Sequence, residues 1–354
     1  MLDSLQIANY IDYFIQILLG ILFIYLLFDR FVKDMTIYDL MTLRTGHADK
    51  ITFKFEPVQL QNEQNSETIF TSADLYLSII IPTNNMISTI SSNLETIIQY
   101  FFIRSSDSNF TWEIIVSDDG SFDGTPERVL EFCSKYSCVH LLRQQNSLGV
   151  GASIQAAVSY ARGRYIFVID PNFSSLISEF SQLESQILLF QINPTQSLIE
   201  KNTISNHLNS NVPTLSYEEN TFSKNQIIIF GKRLSLKSSF PLYSLFTSIL
   251  GVSKDTSQVV DFNCIFFLVN RQAARMIFPN LHTTDQCFLF EMYYLAKRMT
   301  MNIDFLTIQG GSTSIQPSFN INPFMSLISM SFFYPSKLWS IKNKSTIPNI
   351  ENEV

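Results

Sequence analysis

Ile114-Ile115-Val116-Ser117-Asp118-Asp119-Gly120-Ser121-Phe122-Asp123-Gly124-Thr125 is the stretch whose reading decides the fold. A run of β-formers ends in two acids, a turn follows on Gly120, Ser121 and Asp123, and a helix opens near Thr125-Pro126. That order delivers carboxylates to the C-terminal end of a strand, where open α/β sheets bind nucleotides. The same letters also spell an acidic turn that only caps the next helix through Asp123 or Thr125.

The flanking sequence alternates in the same manner. Residues 77–81 predict a strand, broken at Pro82-Thr83-Asn84-Asn85, and residues 87–102 a helix. Beyond the decisive stretch, 125–135 reads as a helix, 139–142 as a strand and 150–162 as an Ala-rich helix; 165–169 is a strand ending at Asp170. Strand–helix alternation with short Gly, Pro and Asn punctuation predicts an α/β domain with a mostly parallel central sheet. Residues 193–226 shift to Asn, Ser, Thr and Glu, which predicts a flexible insertion. Further strands are expected at 227–230, 262–268 and 303–308, with helices at 242–250 and 285–299.

The two ends of the chain point to a membrane. Residues 11–28 are apolar except for Asp12 and Gln16, close to the roughly 20 residues that a spanning helix needs. Charged Asp29-Arg30 follows where a cleaved signal would place small residues. Arg30, Lys33, Arg44 and Lys50 lie after the apolar run and only Asp3 and Asp12 before it, so the positive-inside bias places the bulk of the chain in the cytosol. A buried core helix is the alternative. Residues 323–334 are apolar but too short to span, with Lys337, Lys342 and Lys344 beyond them; they predict either a helix lying in the membrane interface or a core helix. The expected organisation is an anchor at 1–32, a juxtamembrane linker at 33–74, a domain at 75–320 and a C-terminal interfacial segment at 321–354.

Composition bounds the partners. The chain has 354 residues, 46% of them hydrophobic and 16% charged, with a net charge of −7, which argues against nucleic acid. Cys133, Cys138, Cys264 and Cys287 show neither zinc nor redox spacing and are read as reduced thiols. His47, His140, His207 and His282 show no ligand spacing and receive no role.

Five blocks carry a resemblance: Ile79-Ile80-Ile81-Pro82-Thr83; Asp118-Asp119-Gly120-Ser121-x-Asp123-Gly124-Thr125; Asn146-x-x-Gly149-x-Gly151; Arg162-Gly163-x-Tyr165; and Asp170-x-Asn172. Together they resemble family 2 glycosyltransferases of GT-A fold, and among these the dolichyl-phosphate β-glucosyltransferases. Gly231-Lys232-Arg233, Asp261-Phe262-Asn263-Cys264 and Phe288-Leu289-Phe290-Glu291 match later blocks. The resemblance implies a single-pass membrane enzyme of the endoplasmic reticulum with a cytosolic catalytic domain. It would transfer glucose from UDP-glucose to dolichyl phosphate, with inversion, for protein N-glycosylation. Under this resemblance Pro82, Thr83, Asp118, Asp119, Gly120 and Ser121 face the nucleotide, and Gly149 and Gly151 let the backbone approach the sugar nucleotide. Asp170 and Asn172 stand at the Mg²⁺ or Mn²⁺ motif, Arg233 meets phosphate, and Glu291 faces the site from a helix.

Several charge positions depart from the family pattern. Met86 and Leu289 replace acids, Val150 replaces a base, and Asn172 replaces the second acid of the metal motif. An amide oxygen can ligate a hard cation, but the charge is lost, so a weakened metal site is expected. Two other readings follow: a transferase-like membrane protein that binds nucleotide or a partner with little catalysis, and a dolichyl-phosphate mannosyltransferase-like enzyme.

Overall fold

The computed structural model describes residues 15–16, 18–20, 22–25, 54–56, 69–106, 110–192, 226–233, 261, 264–308 and 322–339. The predicted helix at 242–250 and nearly all of the expected insertion lie outside the described residues.

Eight strands form one sheet: β1 (Lys54–Glu56), β2 (Leu75–Thr83), β3 (Trp112–Asp118), β4 (Val139–Arg143), β5 (Gly163–Ile169), β6 (Ile227–Arg233), β7 (Phe266–Asn270) and β8 (Asn302–Ile308). Their order is β1-β4-β3-β2-β5-β7-β6-β8. β4, β3, β2 and β5 run parallel, and β6 and β8 run the same way. β7 inserts antiparallel between β5 and β6, and β1 adds an antiparallel edge. The chain leaves β2 toward β3 and β4, then returns to β5 on the other side of β2. This reversal is a topological switch point, which opens a crevice at the carboxyl ends of the strands.

The strands read as continuous apolar runs because both faces are covered. Alternation along β2 shows this: Ile80 joins one core cluster, while Leu77, Ile79 and Ile81 join the other. On one face lie α1 (Ile90–Arg104), α2 (Thr125–Lys135) and α4 (Phe180–Ile192). On the other lie α3 (Val150–Tyr160), α5 (Arg271–Ile277), α6 (Phe288–Arg298) and α7 (Asn322–Phe333).

Several expectations are corrected. β2 is not broken at Pro82 but runs through it to Thr83, paired to β3 with Pro82 opposite Ser117. Pairing of β2 to β5 ends at Ile80, so the proline sits where one neighbour has already stopped. The first helix begins at Ile90 rather than 87, and β7 occupies 266–270 rather than 262–268. A 3₁₀ helix (Pro171–Glu179) running into α4 was not foreseen, although Phe173, Leu176, Ile177, Phe180, Leu183 and Ile187 recur at helical spacing and are buried.

The stretch assigned to a linker supplies β1, and Ile69 is buried with its N–H donating to Ser159 O at 3.1 Å. At the other end, Leu327, Met330, Phe333, Tyr334 and Trp339 are buried in the α3 and α6 face. The described residues of this segment thus pack one side on the core, while Phe332 and Leu338 are exposed. Near the N-terminus, Ile15, Gln16, Leu18–Gly20 and Leu22–Tyr25 are helical, with Leu19, Ile24 and Tyr25 at least 60% exposed. Among the described residues no helix is long and apolar enough to cross a membrane.

Candidate active site

The tip of β3 is built from hydrogen bonds between two turns. Asp118 is fully buried; its Oδ2 accepts from Ser121 N at 3.0 Å, and Thr83 Oγ1 on the adjacent β2 lies 3.5 Å from Oδ1. Burial pushes its pKa above the ordinary carboxylate range, and the Ser121 hydrogen bonds offset only part of this. Asp119 turns the other way. Its carboxylate accepts from Ser147 Oγ and Leu148 N, both at 2.8 Å, and from Gly149 N at 3.1 Å. Asp119 thus holds down the 146–149 turn. Gly120 adopts φ +69°, and a Cβ there would stand 2.6 Å from Ser147 N, so the two turns nest only without a side chain.

The loop after β2 is tied to the same turn. Asn85 N donates to Ser121 Oγ at 2.8 Å, Met86 N to Thr125 Oγ1 at 2.8 Å and Ile87 N to Asp123 Oδ2 at 3.0 Å. Asp123 Oδ1 accepts from Thr125 N at 3.0 Å at the start of α2. The acids of the turn are divided in use: Asp123 secures the helix start, while Asp118 and Asp119 stand at the edge of the sheet.

The tip of β5 is finished differently. Asp170 Oδ1 accepts the Asn172 N–H at 2.8 Å, which caps the 3₁₀ helix that opens on Pro171. Burial pushes the Asp170 pKa up, with the Asn172 hydrogen bonds opposing it. Asn172 is exposed. Among the described residues no group of three His, Cys, Asp or Glu side chains is arranged to hold a metal ion. Arg233, at the same edge on β6, is gripped by Asp261 in a two-pronged ion pair, Nε to Oδ2 at 2.7 Å and Nη2 to Oδ1 at 2.9 Å. Its charge is already answered, which the sequence reading did not anticipate. Cys264 beside the pair is buried, and desolvation and Asp261 push its thiol pKa up.

The glycines and Glu291 take different places from those expected. Gly149, at φ +104°, would drive a Cβ to 2.5 Å from Thr284 O, and one on Gly151 would meet Thr283 O and Thr284 O at 2.9 Å. Their immediate neighbour is thus the 281–285 loop, and Gly151 N donates to Thr284 O at 2.7 Å. Glu291 lies behind that loop with no exposure. Its oxygens accept from His282 N, from Thr283 N and Oγ1 at 2.7 Å, and from Tyr334 OH at 2.6 Å. His282 Nδ1 stands 3.1 Å away. Full burial opposes the charge, yet these partners lower the pKa below the ordinary value. Glu291 is a sealed carboxylate that holds the loop, and it has no open face toward the crevice. His282, to which no role was given, is part of this network.

The structure therefore brings Pro82, Thr83, Asp118, Asp119, Gly120, Ser121 and Asp170 to neighbouring strand ends, with Arg233 on the same edge. Met86 and Val150 pack against the core clusters, and Leu289 lies inside one at 1% exposure, which accounts for an apolar residue at each. Asp261, Thr283 and Tyr334 were missed; of these only Asp261 lay in a block that had been noticed.

A family profile, Glycosyl transferase family 2, matches residues 78–187. Dolichyl-phosphate beta-glucosyltransferase ALG5C of Trichomonas vaginalis is 30% identical, over 99% of both chains. Dolichyl-phosphate beta-glucosyltransferase ALG5D of the same organism is 29% identical over 96% of this chain and 98% of that protein. The mouse dolichyl-phosphate beta-glucosyltransferase is 26% identical over 74% and 75%. A solved mannosyl-3-phosphoglycerate synthase from Rubrobacter xylanophilus overlays 79% of this chain and 83% of that one at 14% identity and a TM-score of 0.43. The end-to-end match to relatives carrying one name, with the family profile over the strands that form the acidic edge, establishes that the chain belongs to glycosyltransferase family 2, among the dolichyl-phosphate β-glucosyltransferases.

Proposed function

We propose that this chain transfers glucose from UDP-glucose to the phosphate of dolichyl phosphate, with inversion, on a GT-A fold anchored to the endoplasmic reticulum membrane with its catalytic domain in the cytosol. The observation that carries the reading is the placement of Asp118, Asp119 and Asp170 at the carboxyl ends of β3 and β5, flanking β2 at the switch point. The names of the full-length relatives support dolichyl phosphate as acceptor. The exposed apolar side chains on the helical residues between 15 and 25 support an anchor, since such side chains are covered in a bilayer.

In this reading a non-bridging oxygen of the acceptor phosphate forms a bond to the anomeric carbon as the bond to the UDP oxygen breaks on the opposite face. UDP departs with the electron pair. The acceptor phosphate is ionised near neutral pH, so no dedicated general base is required. That requirement agrees with Glu291 being sealed. The Asp118–Ser121 turn would meet the uracil or ribose, with Pro82 and Thr83 beside it.

The residues at β5 fit a cation held mainly by substrate. Mg²⁺ is bound in such sites through one or two carboxylates together with phosphate oxygens, and Asp170 supplies one carboxylate next to the Asn172 amide. A divalent cation there would stabilise the charge developing on the departing diphosphate. Asp170 and Asn172 would hold it.

The test is incorporation of labelled glucose from UDP-glucose into dolichyl phosphate by the full chain in membranes, with and without Mg²⁺ or Mn²⁺. Transfer is expected only with a cation present. UDP binding without transfer would replace this reading with a nucleotide-binding protein of little catalysis, a reading that the Arg233–Asp261 pair favours. Preferential transfer from GDP-mannose would make the protein a mannosyl enzyme.

A further inference from the structure

We propose that residues 326–339 form a latch that sets the nucleotide-facing turn of the active site, with Tyr334 and Trp339 as positioning residues; this rests on the function proposed above. The 281–285 loop has two sides. Toward the site, Thr284 O accepts from Gly151 N at 2.7 Å and leaves no room for a Cβ on Gly149, whose own N–H is held by Asp119. A shift of this loop by a few tenths of an ångström therefore moves the 146–149 turn, because close-packed atoms transmit displacement.

The other side of the loop belongs to the C-terminal segment. Ser326 Oγ donates to Asp285 Oδ2 at 2.6 Å, and Tyr334 OH to Glu291 Oε1 at 2.6 Å. Trp339 stacks on the His282 ring with centroids 4.5 Å apart and planes 8° from parallel. Glu291 joins these contacts, since it binds Tyr334 and the backbone N–H groups of His282 and Thr283 together. Leu327, Met330 and Phe333 are buried in the core and hold the segment to the domain. The polar and stacking contacts add something else: Ser326 and Trp339 meet the loop directly, Tyr334 meets it through Glu291, and the far side of that loop faces the 146–151 turn. Buried hydrogen-bond networks specify geometry in a way that apolar packing does not.

The decisive variant is Tyr334→Phe in the full chain, which keeps the ring and removes one donor to Glu291. Three quantities are read: UDP affinity by titration, the KM and kcat for UDP-glucose, and amide hydrogen exchange across 146–151. Tyr334→Phe and Trp339→Leu are expected to weaken UDP binding and raise KM about five- to tenfold, with kcat changed much less. Exchange at 146–151 should accelerate. Leu327→Ala, which truncates the packing alone, should lower the Tm without a selective change at 146–151 or in KM.

The proposal is overturned if Tyr334→Phe loosens 281–285 while 146–151 and UDP affinity stay at wild-type values. It is overturned equally if Leu327→Ala produces the same selective change. Should the wild-type chain bind no UDP and transfer no glucose, the functional reading fails, and exchange at 146–151 in Tyr334→Phe still reports whether the latch acts on the turn.

Discussion

Strands β3 and β5 both deliver carboxylates to the same edge of the sheet, and the protein completes the two ends differently. At β3, Asp119 receives three donors from the 146–149 turn and Asp118 receives the Ser121 N–H. At β5, the donor to Asp170 among the described residues is Asn172. Arg233, at the same edge, has Asp261 as its partner. The β3 end is organised by the chain itself. Among the described residues, the β5 end gives its carboxylate fewer donors. In the function proposed above, the comparison would set a preorganised nucleotide end beside a phosphate end that depends on substrate.

Asp170→Asn should break the β5 end outright. Cation-dependent glucose transfer is expected to fall about a hundredfold or more, while UDP affinity in the presence of a chelator stays unchanged. Retained transfer would remove Asp170 from the phosphate end. The same variant tests the pH argument. Because burial raises the native pKa of Asp170, the unfolded chain loses this proton first, so its effect on stability is absent at low pH. Stability then falls as pH rises through the interval between the unfolded and native pKa values. Denaturant titrations of Asp170→Asn without metal should show that part of the profile flattened.

Asp119→Ala tests the self-organised end. Three donors lose their acceptor, so a stability loss of about 2–3 kcal/mol is expected, with UDP binding about tenfold weaker; chemical denaturation and UDP titration measure the two. Wild-type nucleotide affinity in this variant would show that the 146–149 turn does not form the pocket.

Gly149→Ala sharpens the same point at lower amplitude. A Cβ at φ +104° meets Thr284 O, so a loss of about 1–3 kcal/mol is expected. KM for UDP-glucose should rise a few-fold, and a thermal melt with initial-rate kinetics reads both.

The smallest effect on transfer is expected at the opposite edge of the sheet. Glu113 is buried and accepts from Ser78 Oγ, Arg162 N and the Arg162 guanidinium, a constellation as dense as the one around Asp119. Glu113→Gln should cost about 3 kcal/mol of stability with specific transfer activity within about twofold at a temperature where the variant is folded. A large fall in kcat there would show that dense carboxylate networks are not informative about the active edge.

The elements read correctly from the sequence are those whose side chains report burial locally. β3 and β5 are apolar runs ending in acids, and the 125–135 helix opens on Thr125-Pro126 after Gly124. The positions of Asp118, Asp119 and Asp170 at the sheet edge were legible because each follows an apolar strand run directly. β1 was invisible: Lys54–Glu56 is three residues long and its partner, β4, lies nearly ninety residues on. The 3₁₀ helix and α4 had a helical pattern that was passed over for the motif before them. The role of Glu291 could not be read from its spacing, because its partners lie on the 281–285 loop and, through Tyr334, 43 residues further along the chain.

The sequence by itself determined the mostly parallel sheet and the acids that edge it, since strand burial and turn chemistry are written in neighbouring residues, whereas the strand order that makes the switch point came from the tertiary structure. Only the tertiary structure decided which acids stay open and which are consumed. Asp119 was committed to the 146–149 turn, Arg233 to Asp261, Glu291 to the loop behind the site, and the apolar C-terminal segment to the core. Those assignments depend on where distant backbone N–H groups come to rest. A buried charge takes whichever donors packing brings to it, and local sequence does not encode that.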